Sequence, residues 1–142
     1  MADLTNLPGK QLWTVGRGTS DDPTVQLYDG DSVPPVPQSA AGLDVSVLVV
    51  DDEDALADNI DPTTNPHVLI YLSIGSGITV VDEDNGLLQI NLLATHTFDP
   101  ADATVAAKFS DLQPYPFVVR VVNGAGKRRV VARGSFIVED IA

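Results

Sequence analysis

The chain has 142 residues, of which 44% are hydrophobic and 20% are charged, and its formal net charge is −12. This length favours a single domain with its own apolar core. There is no cysteine, which excludes disulfides and thiolate metal sites. The excess of acidic side chains argues against a nucleic-acid partner, and no apolar run approaches the roughly 18 residues of a membrane span.

The N-terminal segment 1–40 differs in composition from the rest of the chain. Its SVPPVP run (32–37) holds three prolines, which have a fixed φ and no backbone donor. Such a run disfavours a central strand and favours extended chain. We therefore predict an extended N-terminal arm over 1–40 and a folded domain over 41–142.

The same arm carries large apolar side chains that need a protein surface to pack against. They include the only tryptophan, Trp13, together with Leu27 and Tyr28. One interpretation is that PTVQLY (23–28) forms a first strand on its own domain. The other is that the arm anchors on a neighbouring subunit, in which case Trp13, Leu27 and Tyr28 bind a partner.

From Leu43 onward the sequence is typical of β-structure. LDVSVLVV (43–50) becomes fully apolar, as an interior strand does, and HVLIYLSIG (67–75) follows. GITVV (77–81) and LLQINLL (87–93) then flank a block of turn formers. Short strands separated by turn signals predict an all-β, antiparallel β-sandwich and not a parallel α/β sheet.

Only one helix is predicted, within THTFDPADATVAAKFSDL (95–112). Asp99 is placed to cap it and Pro100 to occupy its first turn, so we expect a short helix of two to three turns.

The chain closes with a hairpin, YPFVVRVVNGAGKRRVVARGSFIVED (115–140), whose glycines suit the turn. Strict alternation in its second strand puts Val130, Ala132 and Gly134 inward and Arg129 and Arg133 outward.

Two acidic blocks raise the question of a metal. In DEDNG (82–86) the spacing fails that of an EF-hand loop, since Gly86 stands where the fifth position needs a ligand. The residues suit a hairpin turn better, although a calcium site stays an alternative. DDED (51–54) follows an apolar strand directly, which favours a solvated strand end.

No motif points to catalysis. The two histidines, His67 and His96, lie in no nucleophile or metalloprotease signature, and the GSG run (75–77) opens no helix that would cradle a phosphate. We expect no enzyme, no cofactor, no metal and no small-molecule substrate. A glycan-binding module using exposed aromatic side chains is the alternative class.

Charge is distributed unevenly along the chain. Residues 1–100 carry 16 acids and 2 bases, whereas residues 101–142 carry 4 acids and 6 bases. Four of those bases lie in KRRVVAR and are Lys127, Arg128, Arg129 and Arg133. Either these are solvated faces that favour solubility, or the basic hairpin meets an acidic surface on a neighbouring copy.

The order of elements over residues 43–140 resembles a family of small immunoglobulin-like domains in tailed bacteriophages and prophages. It is similar to the N-terminal domain of baseplate upper proteins. The shared features are a glycine-bounded hairpin, a short helical link and a closing strand pair. The matching positions are Gly77, Ile78, Thr79, Val80, Asp82, Gly86, Leu88 and Ile90, followed by Gly134, Phe136 and Val138.

This resemblance implies an immunoglobulin-like fold and a structural role in a virion. Tail, baseplate and capsid decoration are all open, because residues 1–40 and the loop 51–67 lie outside the resemblance. The implied partners are other virion proteins and copies of the chain itself. The first residues lack the pattern of a secretory signal, so we expect synthesis in the host cytoplasm.

Overall fold

The computed structural model describes residues 3–5, 11–29, 36–57 and 61–140. This part of the chain is mostly β-structure with little helix. Its strands are β1 (Asp3–Thr5), β2 (Gln11–Gly16), β3 (Thr24–Gln26), β4 (Tyr28–Asp29), β5 (Val36–Pro37), β6 (Asp44–Val50), β7 (Val68–Ile74), β8 (Gly77–Asp82), β9 (Leu87–Ile90), β10 (Pro114–Val122) and β11 (Arg128–Glu139).

Nine of these strands form one sheet in the order β1-β3-β9-β8-β7-β6-β10-β11-β2, and β4 pairs separately with β5. The sheet curls into a half-barrel. Most neighbours are antiparallel, but β2 runs parallel to β11, β1 runs parallel to β3, and β7 makes a short parallel contact with β8. The prediction of an antiparallel sheet is corrected to a mixed one, because two early strands join it at its edges without hairpin connections.

The core lies on the concave, inner face of this sheet. Its centre is aromatic: the Trp13 ring stands edge-on to Phe117 and Phe136, at centroid distances of 5.6 and 4.9 Å. Phe109 continues the cluster with edge-on contacts to Tyr115 and Phe136 at 5.4 and 5.7 Å. Such pairs add roughly 0.5–1.5 kcal/mol each beyond the burial of apolar area.

The segment 11–29 belongs to this same core. The side chains of Trp13 and Leu27 are 0% exposed and pack with residues of β6 and β10. The prediction that these two side chains anchor on a neighbouring subunit is therefore wrong, because β2 and β3 insert into the chain's own sheet. Much of the SVPPVP run lies outside the described residues, and its last two residues form β5.

The predicted helix exists but is short. Helix α1 spans Ala103–Ala107, and its N-cap is Asp102, whose Oδ1 accepts a hydrogen bond from the Thr104 amide at 3.0 Å. Asp99 caps a preceding turn instead, since its Oδ1 accepts from the Ala101 amide at 2.9 Å. Local side-chain bonds of this kind compete with helix, which explains the late start.

A β-bulge changes the register of the closing hairpin. Val119 pairs with Ala132 and Arg120 with Val130, so Val131 has no partner in the ladder. Val131 is buried, whereas Val130 is 50% exposed, which corrects the prediction that Val130 faces inward. Between the bulge and the β10–β11 turn, each side chain of β11 therefore faces the side of the sheet opposite to the predicted one. Arg129 accordingly lies on the inner face, opposite the buried Val121, and not on the outer face.

Candidate functional site: the outer-face groove

The outer face of β6 and β10 carries a second, smaller apolar cluster. It consists of Leu48, Val50, Ala55 and Val118. A 3₁₀ turn at Glu53–Leu56 lies over it, and Asp52 caps this turn by accepting from the Asp54 amide at 3.0 Å. The turn thus rises above the sheet and forms a wall.

A groove runs between this wall and β11, and we call it the outer-face groove. Its central part has a volume of about 420 Å³. The 3₁₀ turn lines one side, β10 lines the floor and β11 lines the other side. The lining residues are Glu53, Leu56, Pro116, Phe117, Val118, Val130, Arg133 and Gly134.

The groove is basic at the end nearest the β10–β11 turn. This end has a volume of about 240 Å³ and is lined by Leu56, Val118, Arg120, Arg128, Arg129 and Val130. We call Arg120 and Arg128 the basic end, because both lie on the outer face of the hairpin and line this part of the groove, whereas Arg133 lines the central part.

Arg120 is the most buried of these charges, with 6% of its surface exposed. One of its guanidinium nitrogens, Nη1, donates to the Leu56 carbonyl at 3.1 Å. This bond ties the 3₁₀ turn to β10, the strand that forms the floor of the groove. The buried cation also raises the electrostatic potential of the groove wall, since charges inside a low-dielectric environment are screened little.

The opposite end of the groove is acidic. It opens into a shallow depression of about 630 Å³ lined by Asp51, Asp52, Glu53, Asp54, His67 and Pro116. We call Asp51–Asp54 the acidic end. Glu53 and Pro116 also line the central part, so the two regions are continuous. Within it the Asp51 Oδ1 lies 2.8 Å from the His67 Nδ1.

The acidic blocks do not converge on a metal position in the described part of the chain. No group of three or more potential ligands is arranged there to hold an ion. DEDNG forms the predicted turn between β8 and β9: Asp82 accepts from the Asn85 amide at 3.3 Å and from its side-chain nitrogen at 2.7 Å. The turn interpretation is confirmed.

His96 ends a 3₁₀ turn, Ala94–His96, far along the chain from this groove. Its Nδ1 accepts a hydrogen bond from the Leu93 amide at 2.9 Å. Burial lowers the pKa of His96 below its usual value, because desolvation disfavours the charged ring.

The structure separates the predicted partner-binding residues into three groups. Trp13 and Leu27 are core, as described above. Arg129 is engaged within the chain, since its guanidinium donates to the Tyr28 carbonyl at 3.2 Å and to the Gln38 side chain. Tyr28, whose carbonyl accepts in that contact, is half-buried.

Arg128, Arg133 and Lys127 form the exposed group. The first two line the groove, and Lys127 lies in the turn that Asn123 organises by accepting from the Ala125 and Lys127 amides, both at 3.0 Å. Sequence reasoning missed Glu53, Leu56 and Arg120 as parts of the site. For Arg120 a signal existed, since a single arginine inside the apolar run FVVRVV needs a partner when buried.

Comparisons with known proteins add no family. A scan against protein-family models and a search of curated proteins both found no match. Within the described ranges no helix has the length and apolar character to cross a membrane.

Proposed function

We propose that this chain is a non-enzymatic structural component of a tailed-phage virion. It acts in the tail or baseplate, or on the capsid surface, through protein–protein contacts in a symmetric assembly. On this proposal the fold is grouped with the immunoglobulin-like β-sandwiches, and β1 and β2 are additions at the edges of its sheet. Its partners are other virion proteins and copies of itself, and its place is the virion.

The observation that carries the proposal is the concentration of positive charge in one hairpin of an acidic protein. Five of the eight basic residues lie in the β10–β11 hairpin: Arg120, Lys127, Arg128, Arg129 and Arg133. Four of them, Arg120, Arg128, Arg129 and Arg133, line the outer-face groove beside apolar side chains. A groove with an apolar floor and a charged rim suits contact with another protein, because burial gives affinity and charge gives register.

Capsid decoration remains the alternative location for the same activity. The glycan-binding alternative has less support, because Trp13, Phe109, Tyr115, Phe117 and Phe136 are all buried in the core. Among the described side chains, Tyr71 and Phe98 are the well-exposed aromatics, and they lie on different elements. A sugar platform needs such rings side by side.

The test is immunogold electron microscopy of particles purified from the host that encodes the chain, with antibody raised against residues 43–142. Gold on tails or baseplates supports the family resemblance, and gold on heads assigns a decoration role. Antigen found only in the soluble lysate would refute the virion assignment. A glycan array with wild-type protein then tests the remaining alternative.

A further inference from the structure

The two charged ends of the outer-face groove lie on the same face of the molecule. The acidic end, Asp51–Asp54, and the basic end share the central groove, which Glu53 and Arg133 both line. This arrangement limits how two copies can satisfy both ends at once. A head-to-tail chain of copies needs complementary patches on different faces, whereas here one face carries both.

A twofold axis in the plane of that face allows both charged ends to be paired at once. Rotation by 180° about an axis that crosses the groove brings the acidic end of one copy over the basic end of the other. The same rotation brings the second acidic end over the second basic end. Each ion contact is therefore made twice, and the association closes at two copies.

We propose that the outer-face groove is the interface of a face-to-face homodimer with this twofold symmetry. The inference rests on the proposed function, since it names a second copy of the chain as a partner for the same groove. The contacts run from Glu53 and Asp54 of each copy to Arg128 and Arg133 of the other.

Apolar side chains complete the interface. Val130, which the bulge places outward, is 50% exposed at the rim of the groove beside the half-buried Leu56. The face also includes Tyr71, which pairs with Leu48 across the sheet and is 39% exposed. In the dimer these groups lose contact with water, which supplies affinity that ion pairs alone do not.

The net charge of −12 opposes association of like copies at long range. At about 0.15 M salt the Debye length is about 8 Å, so repulsion between distant charges is largely screened while close pairs persist. We therefore expect a dimer of modest affinity at this ionic strength. A modest affinity of this kind is multiplied by avidity when many copies are held on a symmetric particle.

The test is sedimentation velocity of the full chain across about 10–500 µM protein at that salt, a range suited to weak interfaces. Wild type should shift from monomer to dimer and go no further. The acidic-end variant Glu53→Lys/Asp54→Lys should weaken dimerisation about tenfold or more, and so should Arg128→Glu/Arg133→Glu. Each charge reversal introduces repulsion at two places, because the twofold axis repeats every contact. Mixing the two variants should restore a heterodimer.

The matched control for the acidic end is Glu83→Lys/Asp84→Lys, which makes the same charge change at exposed positions in the β8–β9 turn. It should leave the dimer intact. Unchanged Trp13 fluorescence shows that each variant is folded, since that ring is buried in the core. Lys108→Glu, which reverses one exposed positive charge outside the groove, should also leave the dimer intact.

Three results would overturn the proposal: a wild-type monomer throughout the range, growth beyond two copies, or variants that dimerise like wild type. None of these results tests the virion assignment, which is tested separately by gold labelling of particles. Conversely, a dimer whose antigen is absent from all particles would refute the virion role and leave the interface in place.

Discussion

Gly134 is the residue at which an added methyl group would do most to separate two strands. It lies in β11 opposite Gln11 of β2. A Cβ at Gly134 would come within 2.6 Å of the Gln11 amide nitrogen and carbonyl carbon, and closer still to its carbonyl oxygen. Ordinary contact begins at 3.4 Å, so Gly134→Ala forces these backbones apart by at least about 0.8 Å.

The displacement reaches the core directly. Trp13 lies two residues beyond Gln11 and packs on Phe136 at 4.9 Å. Overpacking of this kind costs about 1–3 kcal/mol, and each weakened strand hydrogen bond adds about 0.5–1.5 kcal/mol. We therefore expect Gly134→Ala to lower the free energy of unfolding by about 2–4 kcal/mol.

The assay is equilibrium unfolding in urea followed by Trp13 fluorescence. With an m-value of about 2 kcal/mol/M, the midpoint should fall by about 1–2 M. Gly124→Ala is the matched control, because its added Cβ meets nothing within 4 Å and its backbone lies outside the left-handed region. If both variants unfold at the same urea concentration with equal m-values, the close approach of β2 to β11 is refuted.

Three further predictions concern stability. Arg17→Ala should lower the free energy of unfolding, measured in urea, by about 1–3 kcal/mol, because Arg17 donates to the Ala106 and Phe109 carbonyls at 3.0 and 2.8 Å and pairs with Asp140. Arg17→Lys should recover little of this stability, since one ammonium cannot span both carbonyls. Asp21→Ala removes the acceptor 2.9 Å from the buried Trp13 Nε1 and should cost about 1–3 kcal/mol, whereas Asp21→Asn should cost less. The pKa of His96 is lower in the folded chain than in the unfolded chain, so the unfolded chain binds a proton at this ring first as pH falls. The free energy of unfolding should therefore decrease below about pH 6.5. His96→Gln should flatten that part of the pH profile, measured by thermal unfolding.

Periodicity and turn chemistry were enough to find most of the sheet. Apolar runs located β6, β7 and β10, and the DEDNG and NGAG blocks located two hairpin turns, because those residues adopt the required turn conformations. The sequence also predicts the short helix, but it places the start of that helix too early. Local signals of this kind depend on neighbours in sequence, which the sequence displays directly.

The sites that sequence reasoning missed depend on contacts between distant segments. Nothing local to Trp13 distinguishes docking on its own sheet from docking on a neighbour. The parallel pairing of β2 with β11 joins residues more than a hundred positions apart. The wall of the groove forms because the Glu53–Leu56 turn folds over Val118. No periodic pattern in the sequence predicts that contact.

The bulge at Val131 links the fold to the candidate site. A regular ladder would place Arg129 and Arg133 together on the outer face and Val130 in the core. The extra residue instead turns Val130 and Arg128 toward the groove and directs Arg129 inward, where it binds the Tyr28 and Gln38 segment. One irregularity therefore both anchors an N-terminal segment and builds the apolar and basic rim of the groove. Bulges are common where a strand must redirect side chains, and this one does so in the hairpin that carries five of the eight basic residues.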